Sequence, residues 1–369
     1  MMTINELARP WVAGLGVYEP GRPIEEVARE MGFQDASEII KLASNENALG
    51  PSPKAVAAMK KAARQMHLYP DGGAFYLRQA LGKKLDVSPD QIITGSGSNE
   101  LIEFLGHVFL DSSTSIVMAD RAFVVYKLVA DMFRARTIKV PMQNYTHDLD
   151  AMLAAITPDT RVVFVSNPNN PTGTMVDQAA LDRFMERVPD HVLVAFDEAY
   201  IELLPPALQP DCIKYVRAGR KVIVLRTFSK TYGLAGLRIG YGVASEDCIK
   251  LLQRVRQPFN TTAMAQVAAI AALDDDEFVD RTRAMTHEGV AYLQAMFSKM
   301  KLDYVPTFAN FIMVKVGPGR KIFDAMQRAG VIVRPMDPYG LPEYIRITIG
   351  TRAENKRCVS VLKKVLKEA

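Results

Sequence analysis

Cysteine is scarce: Cys212, Cys248 and Cys358 are the only three in 369 residues. They are far apart, odd in number and outside metal-ligand spacing, which argues against a disulfide framework or a zinc site and points to a reducing cytosol. No apolar h-region lies between Met1 and Val12, and no run reaches the length of a membrane span, so a soluble, cytoplasmic protein is expected. No basic cluster carries interleaved aromatics and the net charge is only +4. That balance suits anionic small molecules rather than nucleic acid. A Gly-x-x-x-x-Gly-Lys-Ser/Thr loop is missing, which removes the P-loop nucleotide enzymes. There is no internal repeat and no low-complexity segment. What remains, 49% hydrophobic and 23% charged, is ordinary globular composition, long enough for two or three domains or one large one with an appendage.

Residues 1–40 read as an arm, with a turn at Pro20-Gly21 and a short helix from Pro23 to Gly32. Lys41 to Pro53 is polar and punctuated by Gly and Pro, an ordered connector from which Pro53 opens a helix. From about Gln91 short apolar runs alternate with helical patterns. Strands are expected at Ile92-Ile93, Ser115–Met118, Arg136–Val140, Arg161–Ser166, Val192–Phe196, Val222–Leu225 and Arg238–Val243, with helices at Leu101–Leu110, Val124–Phe133, Leu149–Ile156 and Asp177–Val188. That alternation predicts an α/β fold with a mostly parallel sheet between helices, its ligand at the carboxyl ends of the strands. After Val243 long helices take over, then strands at Phe311–Val316, Gly330–Val333 and Ile345–Ile349 and a last helix with Cys358, Val361, Leu362, Val365 and Leu366 on one face. The expected division is an arm (1–44), a large domain (45–276) and a smaller α+β domain (277–369).

The chemistry concentrates in Arg226-Thr-Phe-Ser-Lys-Thr-Tyr-Gly-Leu-Ala-Gly-Leu-Arg-Ile-Gly-Tyr241. A buried lysine loses pKa and becomes a nucleophilic amine. The hydroxyls of Thr227 and Ser229 and the fork of Arg238 suit a phosphate beside Lys230. An amine next to a phosphate seat, without a P-loop, suggests a Schiff-base lysine and a phosphorylated aldehyde, pyridoxal 5'-phosphate. Alone, Ser-Lys is a common surface turn, so the neighbouring motifs carry weight. Gly95-Ser-Gly-Ser-Asn-Glu100 joins a strand to a helix start, where small residues and free N–H groups accept an anion. Asn167-Pro-Asn-Asn-Pro-Thr-Gly173 holds amides in a stiffened turn, although surface turns look the same. Asp197 closes an apolar strand, where a carboxylate needs a cation such as a protonated pyridine nitrogen. Asp197-Glu198 also fits a metal-binding strand end, but that reading lacks its P-loop partner. Phe123 suits either the core or a stacking face. Arg334 and Arg346 suit a carboxylate or phosphate, or a salt-bridged strand end.

Together and in this order, these strings resemble the fold-type-I PLP-dependent aminotransferases, and within them the branch acting on histidinol phosphate. The similarity spans essentially the whole chain: Lys41-Leu-Ala-Ser-Asn-Glu-Asn47, Tyr69-Pro-Asp-Gly72, Asn169-Asn-Pro-Thr-Gly173, Asp197-Glu-Ala-Tyr200, Thr227-Phe-Ser-Lys230, Gly233-Leu-Ala-Gly-Leu-Arg238 and Arg346-Ile-Thr-Ile-Gly-Thr-Arg352. The resemblance implies that Lys230 carries the cofactor and Asp197 meets its ring nitrogen. Asn170 and Tyr200 would reach the ring hydroxyl and Phe123 would stack on the ring. Ser98 and Asn99, Thr227, Ser229 and Arg238 would hold the phosphate, with Tyr69 supplied by the other subunit of a homodimer. Arg346, Arg334 and Tyr18 match positions that contact the substrate's anionic groups. Ala48 stands where relatives usually have proline, and Ser96 and Ser98 alter the glycine turn conservatively.

The implied reaction is transamination of L-histidinol phosphate with 2-oxoglutarate, giving imidazole acetol phosphate and glutamate, in histidine biosynthesis. Phenylalanine or tyrosine transamination uses the same motifs, as does a PLP decarboxylase of a phosphorylated amino acid. A transcription regulator with an aminotransferase-like sensor domain would need a DNA-binding module, for which residues 1–40 are too short.

Overall fold

The computed structural model describes residues 2–17 and 21–368. In chain order the strands are β1 Ile40–Lys41, β2 Ile92–Gly95, β3 Ser115–Ala119, β4 Arg136–Val140, β5 Thr160–Ser166, β6 Leu193–Asp197, β7 Val222–Thr227 and β8 Gly240–Ala244. They continue with β9 Tyr304–Val305, β10 Phe311–Lys315, β11 Val331–Ile332, β12 Arg334–Pro335 and β13 Tyr344–Thr348. A seven-stranded sheet has the order β2-β8-β7-β6-β5-β3-β4. Its pairings from β7 through β4 are parallel, and β8 runs antiparallel to both neighbours. The expected α/β architecture with a mostly parallel sheet is therefore the one observed.

Both faces of that sheet are covered, which is why its strands read as unbroken apolar runs. Along β5, Val162 and Phe164 enter one core with Leu101, Ile102, Tyr126 and Val129, from the helices Ser98–Phe109 and Val125–Met132. Val163 and Val165 enter the opposite core with Leu77, Leu181, Phe184 and Ala268. β6 and β7 alternate the same way. A strand has period two, so each residue's neighbour serves the other layer.

A four-stranded antiparallel sheet, β12-β13-β10-β9, carries a third core. There Ile312, Val314, Ile345 and Ile347 pack on Ile322, Met326, Cys358 and Leu362. β1 pairs with β11, bringing the N-terminal segment to this side of the molecule. The helix Asp276–Lys299 links two of the cores, with Val279 in the one that holds Val163 and Val165, and Leu293 and Phe297 in the third.

Among the boundaries that differ from expectation, two shape the site. The helix expected from Leu101 begins at Ser98, because Gly97 at φ +77° turns the chain and the polar Ser98-Asn-Glu100 forms the first turn. The apolar stripe starts later than the helix because that first turn faces a cavity. The strand expected from Arg238 begins at Gly240. Arg238 itself lies in the left-handed region (φ +51°) and caps a short 3-10 turn, Ala235–Leu237.

Candidate active site

Parallel strands place their carboxyl ends on one edge, and the loops there converge. Phe123 follows β3, Asn170 follows β5, Asp197 ends β6, and Thr227 to Lys230 continue β7. β8 is antiparallel, so Arg238, two residues before its start, arrives at that same edge. Gly240 sits opposite Thr227 in register. A cavity of about 400 Å³ results. Ser98, Asn99, Phe123, Asn170, Asp197, Tyr200, Thr227, Ser229, Lys230, Arg238, Arg334 and Arg346 all line it. Arg334 and Arg346 come from the other sheet, directly opposite each other on β12 and β13.

Lys230 Nζ donates to the carbonyl of Ser44 at 3.2 Å and lies 5.9 Å from the Tyr200 ring centre. Burial, with Arg346 and Arg238 nearby, lowers its pKa to about 8. Asp197 is buried, which raises its pKa from the usual carboxylate range. Two donors oppose that rise: Tyr126 O–H to Oδ2 at 2.6 Å and Ala199 N–H to Oδ1 at 3.2 Å. Tyr200 accepts from Asn45 Nδ2 at 2.9 Å, and burial raises its phenol to about 12, so it keeps its proton. Arg346 donates from Nη1 to Asn170 Oδ1 at 2.5 Å and from Nη2 to the carbonyl of Ala43 at 2.9 Å.

The space around the helix start is shaped for an anion. A side chain at Gly97 would lie 2.6 Å from Arg238 Nη2, and one at Gly240 would lie 2.6 Å from the backbone N of Ser98. Glycine at both positions lets Arg238 and the first N–H groups of the helix Ser98–Phe109 share one pocket. A buried carboxylate at Asp197 suits a cation in front of it, and the low-pKa amine of Lys230 suits attack on an aldehyde carbon. Anion seat, amine and carboxylate together fit a phosphorylated pyridine aldehyde.

Two predicted positions are not among these residues. Tyr69 is 83% exposed and stacks on Phe259 with ring centres 4.8 Å apart. Tyr18 lies outside the described residues. Sequence reasoning missed Tyr126 and Asn45, whose partners are distant in the chain. A signal existed for each: Tyr126 is in the same string as Phe123, and Asn45 is in the polar connector already singled out.

Residues 37–362 match the aminotransferase class I and II family, and the chain belongs to that family. It is 51% identical to the histidinol-phosphate aminotransferase of Akkermansia muciniphila over 366 residues, covering 99% of this chain and 100% of the relative. The histidinol-phosphate aminotransferase of Moorella thermoacetica is 49% identical, with 97% of this chain and 92% of the relative covered. The fold superimposes on the histidinol-phosphate aminotransferase of Sinorhizobium meliloti, solved in complex with pyridoxal-5'-phosphate. That match has a TM-score of 0.89 at 27% identity and covers 97% of each chain. A Thermus thermophilus aspartate aminotransferase mutant, at 20% identity, shares the fold with a TM-score of 0.83 over 98% of this chain and 99% of that one.

Proposed function

We propose that the protein binds pyridoxal 5'-phosphate at Lys230 and transfers the amino group of L-histidinol phosphate to 2-oxoglutarate. The products are imidazole acetol phosphate and glutamate, and the step belongs to histidine biosynthesis. The observation that carries the chemistry is the meeting of a low-pKa amine, a buried carboxylate and an anion-ready helix start in one cavity. The names of the relatives at 51% and 49% identity support the substrate.

When bound, the cofactor supplies an electrophilic carbon for amines and a ring that draws electrons from the substrate's Cα. Lys230 Nζ would hold it, and the same amine would serve as the base that accepts the substrate's Cα proton and returns it. Asp197, lining the cavity, would meet the ring nitrogen and hold a positive charge there. Tyr200, already accepting from Asn45, has its own O–H left to donate toward the ring hydroxyl, beside Asn170. Phe123 offers its face to the ring. Ser98 and Asn99 N–H groups, Thr227, Ser229 and Arg238 hold the cofactor phosphate. Arg346 and Arg334, with Tyr18, receive the substrate's distal phosphate or the carboxylate of glutamate.

Residues 45–276 act as the cofactor-binding unit and 277–369, with 1–44, as a smaller unit closing over it; the separate hydrophobic cores support this division. A homodimer completes each site with Tyr69 of the second copy. The exposed group of Leu68, Tyr69, Phe75, Tyr76 and Phe259 supports such a contact. The free thiols suit the cytoplasm. Among the described residues no helix is long and apolar enough to cross a membrane.

The test is a half-reaction followed by the visible absorption band of the loaded protein. L-Histidinol phosphate should discharge the band at lower concentration than L-phenylalanine, and 2-oxoglutarate should restore it. Discharge by phenylalanine but not by histidinol phosphate would assign the protein to aromatic substrates instead.

A further inference from the structure

We propose that Tyr126 is a positioning residue for this reaction, orienting Asp197 and moderating its negative charge through the hydrogen bond its hydroxyl donates. The inference rests on the cofactor reading above. It adds a residue that stands behind Phe123 and Asp197 in the cavity wall.

Tyr126 has no exposed surface. Its ring lies flat on Phe164 of β5, with centres 4.4 Å apart and planes 6° from parallel. Phe123 meets it edge-on at 5.7 Å. The clamped ring can aim its hydroxyl in few directions, and it aims at Asp197 Oδ2, 2.6 Å away. Packing alone does not require that hydroxyl, because phenylalanine would fill the same stack. A buried hydroxyl without a partner would be a cost, and this one is spent on the carboxylate opposite the proposed ring nitrogen.

Burial and the adjacent carboxylate raise the phenol well above its usual value, so Tyr126 stays a donor throughout the working range. The other charged or titratable groups acting on Asp197 are Glu198 beside it, Lys230 from the loop after β7, and Tyr200. None of these donates to Oδ2 in its place: the second donor to the carboxylate, Ala199 N–H, is on Oδ1. Tyr126 therefore determines how much negative charge Asp197 presents to the cavity and in which plane. With the cofactor bound, losing the donor leaves more negative charge at the ring, which favours the protonated form of nearby groups.

The experiment compares wild type, Tyr126→Phe, Asp197→Asn and the double variant, each prepared without cofactor and then titrated with pyridoxal 5'-phosphate. Tyr126→Phe should weaken cofactor binding by about tenfold, because Asp197 loses the donor that holds its carboxylate in the plane facing the cavity, an effect on the scale of one hydrogen bond to a charged group. It should move the pH midpoint of the visible band upward and lower kcat while leaving KM for histidinol phosphate nearly unchanged. In the Asp197→Asn background the same change should weaken binding by less than about twofold, since the partner charge is already gone. A ring-fluorinated tyrosine at position 126, a stronger donor of nearly the same shape, should move the midpoint downward and does not depend on the phenylalanine variant folding. An unmoved midpoint in both variants overturns the proposal, as does an equal loss of affinity in both backgrounds. A wild-type protein that takes up no cofactor would overturn the functional reading itself and this inference with it. Normal uptake by wild type with an indifferent Tyr126→Phe variant would remove only the inference.

Discussion

Arg346 of β13 and Asn170 after β5 join the two sheets across the cavity: the guanidinium Nη1 donates to the Asn170 amide oxygen at 2.5 Å. With its oxygen engaged, Asn170 presents Nδ2 as the free end, the donor a ring hydroxyl needs. The second arm of the fork is tied to the carbonyl of Ala43 at 2.9 Å, so one side chain orients a cofactor contact while forming part of the substrate wall. Lysine would keep the charge and lose the fork. Arg346→Lys is expected to lower kcat/KM about ten- to hundredfold for both histidinol phosphate and glutamate, the scale of one or two charge-assisted hydrogen bonds. Steady-state kinetics with each amino donor checks this, and unchanged glutamate kinetics would contradict a shared anion site.

Lys230 offers a prediction from pH alone. Burial first, then the like charges of Arg346 and Arg238, brings its amine to about 8. Only the neutral amine attacks an aldehyde, so attachment of the cofactor to the empty protein should follow the neutral fraction. The rate should rise about tenfold for each unit below pH 7 to 8 and level off above pH 9. Stopped-flow absorbance would measure it. A rate still climbing steeply at pH 10 would mean an ordinary lysine. Arg346→Ala should move the midpoint upward by removing a repelling charge.

The seven-stranded sheet was legible because its central strands are buried on both faces: Val162 to Val165 and Leu193 to Phe196 can be little else. The polar motifs were legible because each interrupts such a run at its carboxyl end. Short-range pattern failed where a residue answers to a distant partner. Arg238 looks like the start of a strand by position, yet left-handed backbone turns it over the helix start at Ser98. Three of the four two-residue strands, β1, β9 and β12, are too short for alternation to register. Tyr126 and Asp197 are 71 residues apart, and Asn45 and Tyr200 are 155 apart. Tyrosine and asparagine alone do not say what they will meet.

Glu202, in the turn Ile201–Leu203, is buried, and burial raises its carboxyl from 4.5 to about 7 against the opposing pull of Arg226 and Arg283. Because the folded value lies above the unfolded one, its stabilising contribution is full below pH 4.5 and is lost as pH rises through about 7. The loss is on the order of 3 kcal/mol for a group this deeply buried. Glu202→Gln keeps the shape and removes the titration. Urea unfolding at pH 5 and pH 8 should find the variant near wild type at the lower pH and more stable at the higher. A variant less stable than wild type at pH 8 would instead mean that ionised Glu202 is held by Arg226.

Tyr69 separates a site complete in one chain from a site shared between two. It is 83% exposed, far from burial in its own chain, and it is absent from the residues lining the cavity. In a shared site, Lys230 and the Tyr69 that serves it belong to different copies. Lys230→Ala alone should abolish turnover and the visible band, and Tyr69→Ala should weaken cofactor binding by the loss of one phosphate contact, roughly tenfold. At limiting cofactor Lys230→Ala is then inactive and Tyr69→Ala keeps roughly a tenth of its activity. Dissociated and reassembled as a mixture, they form hybrids with one intact site, in which the Lys230→Ala chain lends its Tyr69 to the other chain's lysine. Recovery approaching a quarter of wild-type activity is expected from about half the dimers being hybrid, each with one working site. If Tyr69 served its own chain, each hybrid site would still carry one lesion, and mixing would restore nothing.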